Sequence, residues 1–120
     1  MSRYLCAALA ACACQLLVTA AEARTPFDGS WSITFVTHSG DCNPSYVYPV
    51  NIENGLITSP GVQSFKGDVT NSGAVRASVS MQDKHATGSG KLTGVLGRGT
   101  WSGWSGDQRC AGAWTAQRTY

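Results

Sequence analysis

Alternation is the strongest constraint in this sequence. From Trp31 onward apolar side chains return at every second position in short runs, and no window keeps an i, i+3, i+4, i+7 helical stripe. Trp31, Ile33 and Phe35 share one face of a first run; Tyr46, Tyr48, Val50 and Ile52 share one face of a second. Asn54-Gly55 follows, a dipeptide suited to a type I′ hairpin, whose two central residues both need positive φ. Leu56 and Ile57 open a third strand that stops at Pro60-Gly61, and Val62 to Thr70 make a fourth, interrupted at Lys66-Gly67.

Asn71-Ser72-Gly73 turns the chain into a fifth strand carrying Val75, Ala77, Val79 and Met81 on one face. Asp83-Lys84-His85 reads as a loop, and a sixth strand places Ala86, Gly88, Gly90 and Leu92 at alternate positions. A turn over Gly94–Gly97 leads to a seventh strand with Gly99, Trp101 and Gly103. Ser105-Gly106-Asp107 then turns into a last strand with Cys110, Gly112, Trp114, Ala116 and Arg118 on one face. About eight short strands joined by turn-sized connections give an all-β meander. A meander exposes two edges unless the last strand meets the first, and an eight-stranded up-and-down barrel removes them. The expected fold is that small antiparallel barrel, with a two-sheet β-sandwich as the alternative.

Three of the four tryptophans sit in a Gly-x-Trp frame: Gly29-Ser30-Trp31, Gly99-Thr100-Trp101 and Gly112-Ala113-Trp114. The strand period of two puts the bare glycine and the indole on the same face. The frames fall in the first and the last two strands, which must meet if the barrel closes. The Ala86, Gly88 and Gly90 file predicts a close approach, with a tryptophan laid over the glycines.

The first 23 residues read as a secretory signal: Arg3, an uncharged Ala- and Leu-rich stretch from Tyr4 to Ala21, and Ala21-Glu22-Ala23 before Arg24. Leu9-Ala10-Ala11-Cys12 also has the form of a lipobox. Removing residues 1–23 leaves 97 residues, one small domain over 24–120. Cys6, Cys12 and Cys14 leave with the leader, so Cys42 and Cys110 have a single pairing as an exported chain's disulfide. That bond closes a loop of 69 residues, worth about 4 kcal/mol in the chain-entropy picture. Arg3 and Glu22 also leave, so nine basic and seven acidic side chains become eight and six, and the net charge stays +2. So small and dispersed a charge argues against a nucleic acid or an anionic membrane as partner.

No constellation for catalysis or metal binding stands out. His38-Ser39-Gly40-Asp41 puts a base, a hydroxyl and a carboxylate in one segment. A nucleophilic triad, however, needs its members brought together from distant segments, and a turn accounts for these four. Asp83 and His85 have only His38 as a further imidazole, and no His-x-His or His-Glu-x-x-His spacing occurs. The six carboxylates Asp28, Asp41, Glu53, Asp68, Asp83 and Asp107 nearly all sit at strand ends or turns. Gly88-Ser89-Gly90 and Gly97-Arg98-Gly99 are not followed by a helix that could cradle a phosphate. The aromatic set remains: Trp31 and Phe35 on the first strand face Tyr46 and Tyr48 on the second. They are the candidate ligand-binding residues, as a filled core or as the wall of an apolar pocket near one mouth.

The opening Gly29-Ser30-Trp31 and the closing Arg118 resemble the pairing of calycins, the superfamily of lipocalins, fatty-acid-binding proteins and avidins. The resemblance implies an up-and-down barrel with Arg118 across the Trp31 indole, a cation–π contact of roughly 0.5–2 kcal/mol. Size, leader, Gly-x-Trp opening and single disulfide are similar to bacterial inhibitors of secreted metalloproteases. That likeness implies an inhibitory arm in Arg24-Thr25-Pro26-Phe27. Over the whole mature chain, Phe27-Asp28-Gly29-x-Trp31, Gly40-Asp41-Cys42, Tyr48-Pro49-Val50, Gly88-x-Gly90-x-Leu92-x-Gly94 and Cys110-x-Gly112-x-Trp114-x-Ala116 resemble exported proteins of alphaproteobacteria. Some of those carry labels for haem utilisation or adhesion. Nothing in this chain supports haem independently, since Cys-x-x-Cys-His is absent.

The expectation is a periplasmic or secreted, monomeric, non-catalytic binding module without cofactor. Its partner would be a small apolar or aromatic ligand, or a secreted or envelope protein. Inhibition of a secreted protease is the second reading, and a hydrolase using His38 and Asp41 the third.

Overall fold

The computed structural model describes residues 24–120. The leader reading, with Cys6, Cys12 and Cys14 and the lipobox, falls on residues 1–23 and lies outside the described residues. Eight antiparallel strands follow one another: β1 (Gly29–Ser39), β2 (Ser45–Glu53), β3 (Leu56–Ser59), β4 (Val62–Val69), β5 (Ala74–Met81), β6 (Lys84–Thr93), β7 (Leu96–Ser105) and β8 (Gln108–Arg118). Each pairs with its successor, and β8 pairs back onto β1 with Trp31 opposite Arg118 and Phe35 opposite Trp114. The sheet is a closed barrel rather than a sandwich, so no strand lies at an outer edge among the described residues, although β2 meets β3 only over Asn51–Glu53.

Asn54 and Gly55 have φ of 54° and 80°, the two positive values that a type I′ turn requires. Other turns are tighter than the sequence suggests. Met81 pairs with Lys84, so Lys84 and His85 belong to β6 and only Gln82 and Asp83 turn. Thr93 pairs with Leu96 and Ser105 with Gln108, leaving two-residue turns at Gly94-Val95 and Gly106-Asp107. Likewise His38 and Ser39 extend β1. Ladder hydrogen bonds persist to the last residue that can pair, so polar strand ends look like loops in sequence.

β4 is continuous through Lys66-Gly67, contrary to the expected interruption. The irregularity lies in its pairing with β3: Ile57 faces Gly67 while Ser59 faces Val62, so β4 carries extra residues between those partners. Such a bulge re-aims side chains, and Phe65 within it is buried.

One end of the barrel is closed. Phe27, 8% exposed, covers it in company with Trp31, Ile52, Val75 and Leu92. Asp28 fastens the entering segment. Its carboxylate accepts hydrogen bonds from the Thr25 hydroxyl at 2.6 Å, Asn54 N at 2.7 Å and Gly55 N at 3.2 Å, tying residues 25–28 to the β2–β3 turn. Arg118 lies 5.4 Å over the Trp31 ring and donates to the carbonyls of Pro26 and Asp28. Gly29 is required beside it: φ is +140°, and a Cβ would come within 3.3 Å of Arg118 Nε.

The three tryptophans of the Gly-x-Trp frames each bury a ring and satisfy its N–H on backbone. Trp31 Nε1 donates to Phe27 O at 2.9 Å, Trp101 Nε1 to Val36 O at 3.2 Å and Trp114 Nε1 to Ser89 O at 3.1 Å. Trp114 is laid over the glycine file, and a Cβ at Gly90 would meet its Cζ2 at 2.5 Å. Large rings fit because the strands across from them carry no side chain there.

Candidate functional site

The opposite end is held differently. β1 and β2 are joined by residues 40–44, and Cys42 in that connection is bonded to Cys110 of β8, with Cα atoms 6.2 Å apart. Thr37 holds the base of the connection: its N–H donates to Pro44 O at 2.9 Å and its hydroxyl to Asn43 O at 2.6 Å. No residue equivalent to Phe27 plugs this end among the described residues, and a hollow of about 140 Å³ opens there.

The alternation of β1 and β2 brings Phe35, Tyr46 and Tyr48 to its wall, with Val79 and Met81 from β5, Ala86 from β6 and Trp101 from β7. Phe35 stands edge-on to Tyr48, centroids 5.9 Å apart at 70°, and edge-on to Trp101, 6.3 Å apart at 88°. Tyr46 is stacked on Tyr48 at 6.4 Å with only 10° between their planes. Edge-to-face and offset contacts of this kind are favourable for aromatic quadrupoles and hold the rings in place. Phe35 and Trp101 also form the roof of a second void of about 40 Å³ in the barrel middle. At the closed end only about 20 Å³ is left among Trp31, Val50 and Leu92.

Of the four residues expected to bind ligand, three meet at this mouth. Trp31 does not: it is 2% exposed and sits at the closed end, engaged by Phe27 and Arg118. Residues of one face on one strand share an orientation, but positions 31 and 35 are roughly 13 Å apart along it. Two wall residues have the opposite parity. His85 and Trp104 pair across β6 and β7 and lie against each other, ring centroids 5.8 Å apart, yet both reach the rim.

His38, Ser39 and Asp41 are all exposed, at the end of β1 and in the bend after it. A different Ser–His contact exists, which the sequence does not signal. Ser80 Oγ lies 2.8 Å from His85 Nδ1 because the two face each other across β5 and β6. Hydrolytic activation also needs a group orienting the far imidazole nitrogen. No carboxylate is hydrogen-bonded there among the described residues. Nor does any group of three His, Cys, Asp or Glu side chains stand ready to hold a metal among them.

The outer wall carries two broad, open depressions. One crosses β4 to β7 past Lys66, Asp68, Arg76 and Thr100; the other crosses β6 to β8 and β1 past Lys91, Arg98, Thr115 and Thr34. Both are lined largely by Ser, Thr, Gly and charged side chains, whereas the mouth is walled by aromatic rings.

The Cys42–Cys110 bond fits an oxidising compartment. Among the described residues no helix is long and apolar enough to cross a membrane. No protein-family model, curated protein or solved structure matches the chain.

Proposed function

We propose that the chain is an exported, monomeric, non-catalytic binding module that takes a small apolar or aromatic ligand into the open end of its barrel. The observation that carries this reading is the aromatic hollow itself, walled by Phe35, Tyr46, Tyr48 and Trp101 while the other end is filled. Its volume of about 140 Å³ is close to the roughly 150 Å³ of an engineered apolar cavity that binds benzene. It is well under the ~300–1,000 Å³ of drug-sized sites. A single ring fits; a fatty acid or a haem does not. The Trp31–Arg118 contact supports a calycin-like closure, and the disulfide together with the Ala-rich leader supports periplasmic or secreted localisation.

Titrating the full chain with toluene while following the Val79 and Ala86 methyl resonances tests the reading. Saturable shifts confined to the mouth are expected. Linear, non-saturating shifts, or none, would sink it.

A protein partner is the second reading, favoured by the apolar side chains around the same end: Val36 is 39% exposed, Met81 42% and Trp104 39%. Protease inhibition would then come from this rim. Phe27 is buried and the Arg24–Phe27 segment is folded onto the closed end, which leaves that segment unsuited to entering a cleft.

A further inference from the structure

Resting on the reading of the mouth as a ligand site, we infer that its ligand is a single-ring aromatic carboxylate. Three features of the mouth converge on that class. The hollow's about 140 Å³ admits one ring and little else. Its walls are the edges and faces of Phe35, Tyr48 and Trp101, held at 70° and 88° to one another. A flat aromatic guest meets both ring faces and ring edges there, whereas a branched aliphatic guest of equal volume meets only area.

Charge sets the substituent. Lys84 lines the hollow at the first position of β6, on the inward parity of Ala86 and between Met81 and Ser105. It is the lining's only Lys or Arg, and the lining holds no Asp or Glu. The imidazole in the lining, His85, has Nδ1 engaged by Ser80. Tyr46 supplies a second donor: its hydroxyl oxygen accepts the Asn43 N–H at 3.2 Å, which leaves its own proton free to be given. Lys84 lines the hollow from β6 and Tyr46 from β2, and the ammonium and the phenolic O–H are each able to donate to a carboxylate at the rim. The carboxylate stays at the wet rim while the ring goes under, so its solvation is largely kept.

Aromatic walls of this kind also suit a cation, but a cationic guest would sit against Lys84 with no carboxylate in the lining, since Asp41 and Asp83 stand in exposed turns beside it. The charge lining therefore decides against it.

Benzoate, benzamide and benzamidine share one ring and nearly one shape but carry charges of −1, 0 and +1. Titrated into the full chain at low salt and followed by Trp fluorescence and the mouth methyl resonances, they separate shape from charge. The expected order is benzoate, then benzamide, then benzamidine. Benzoate should exceed benzamide by about two- to fivefold, the range of an exposed ion pair. The gap should close in 1 M NaCl, where the screening length falls to about 3 Å. Lys84→Met should bring benzoate down to benzamide and leave benzamide within about twofold of its starting affinity. Benzamidine binding as tightly as benzoate, or a benzoate preference that survives Lys84→Met, would overturn the carboxylate inference while leaving the ligand site standing. Failure of all three, with toluene also silent, would overturn both.

Discussion

Arg118 lies over the Trp31 indole at 5.4 Å and spans it to reach the Pro26 and Asp28 carbonyls, so the last strand locks the segment that enters the first. The Tyr120 ring packs on the same guanidinium at 5.5 Å. One side chain thereby joins both ends of the described chain to the base of the barrel.

Replacing it removes a cation–π contact and two charge-assisted hydrogen bonds at once. Arg118→Met should destabilise the domain by about 1–3 kcal/mol. The loss is held below the simple sum because the buried Arg118 Nε has no hydrogen-bond partner in the native fold. Urea unfolding should show a lower midpoint at unchanged slope. An unchanged midpoint would mean that the contact contributes nothing.

Asp28 gives the fold an acid-sensitive anchor. Burial acts to raise its carboxyl, but the hydrogen bonds from the Thr25 hydroxyl, Asn54 N, Gly55 N and Thr25 N outweigh that and hold it below the ordinary value of 3.8. A folded value below the unfolded one means the stabilisation is complete above 3.8 and is lost as pH falls through the lower folded value. Stability measured down a pH series should therefore fall more steeply in this range for the native chain than for Asp28→Asn. Parallel curves for the two would refute the anchor.

The Cys42–Cys110 bond spans 68 residues of sequence. Its loss in Cys42→Ala/Cys110→Ala should cost about 4 kcal/mol if restriction of the unfolded chain dominates. Because Cys42 and Cys110 also line the mouth, the same variant should broaden the methyl resonances of Val79 and Ala86. Those of Leu92 at the closed end should stay sharp.

Function and stability should separate along β1. Trp31→Phe leaves the Phe27 carbonyl without its indole donor and should cost about 1–3 kcal/mol of stability. Toluene affinity should stay within about twofold. Phe35→Ala removes the ring that faces both Tyr48 and Trp101, so toluene affinity should drop at least about fivefold. A binding loss in the first variant, or none in the second, would place the site elsewhere.

The strands and their order were legible because alternation and turn dipeptides are local signals, and Asn54-Gly55 turns with both φ positive as such a signal demands. The β4 irregularity was not. Whether Phe65 points inward depends on which residue of β3 it faces, a long-range fact that no window of sequence contains. The mouth shows the same split. Phe35, Tyr46 and Tyr48 follow from strand parity alone. Lys84 and Trp101 join them only through the ladder register across β5, β6 and β7. Trp31 shares the parity of Phe35 but not its height in the barrel, and parity says nothing about height.

The closed base carries a consequence for how the molecule can be held. The segment beginning at Arg24 and the final residues Thr119 and Tyr120 gather at that base, where Thr119 N donates to Ser30 O at 2.8 Å. A tether, fusion or surface linkage made at either place grips the cup by its foot. The mouth then lies at the far end of the barrel from the attachment, whichever of the two places is used.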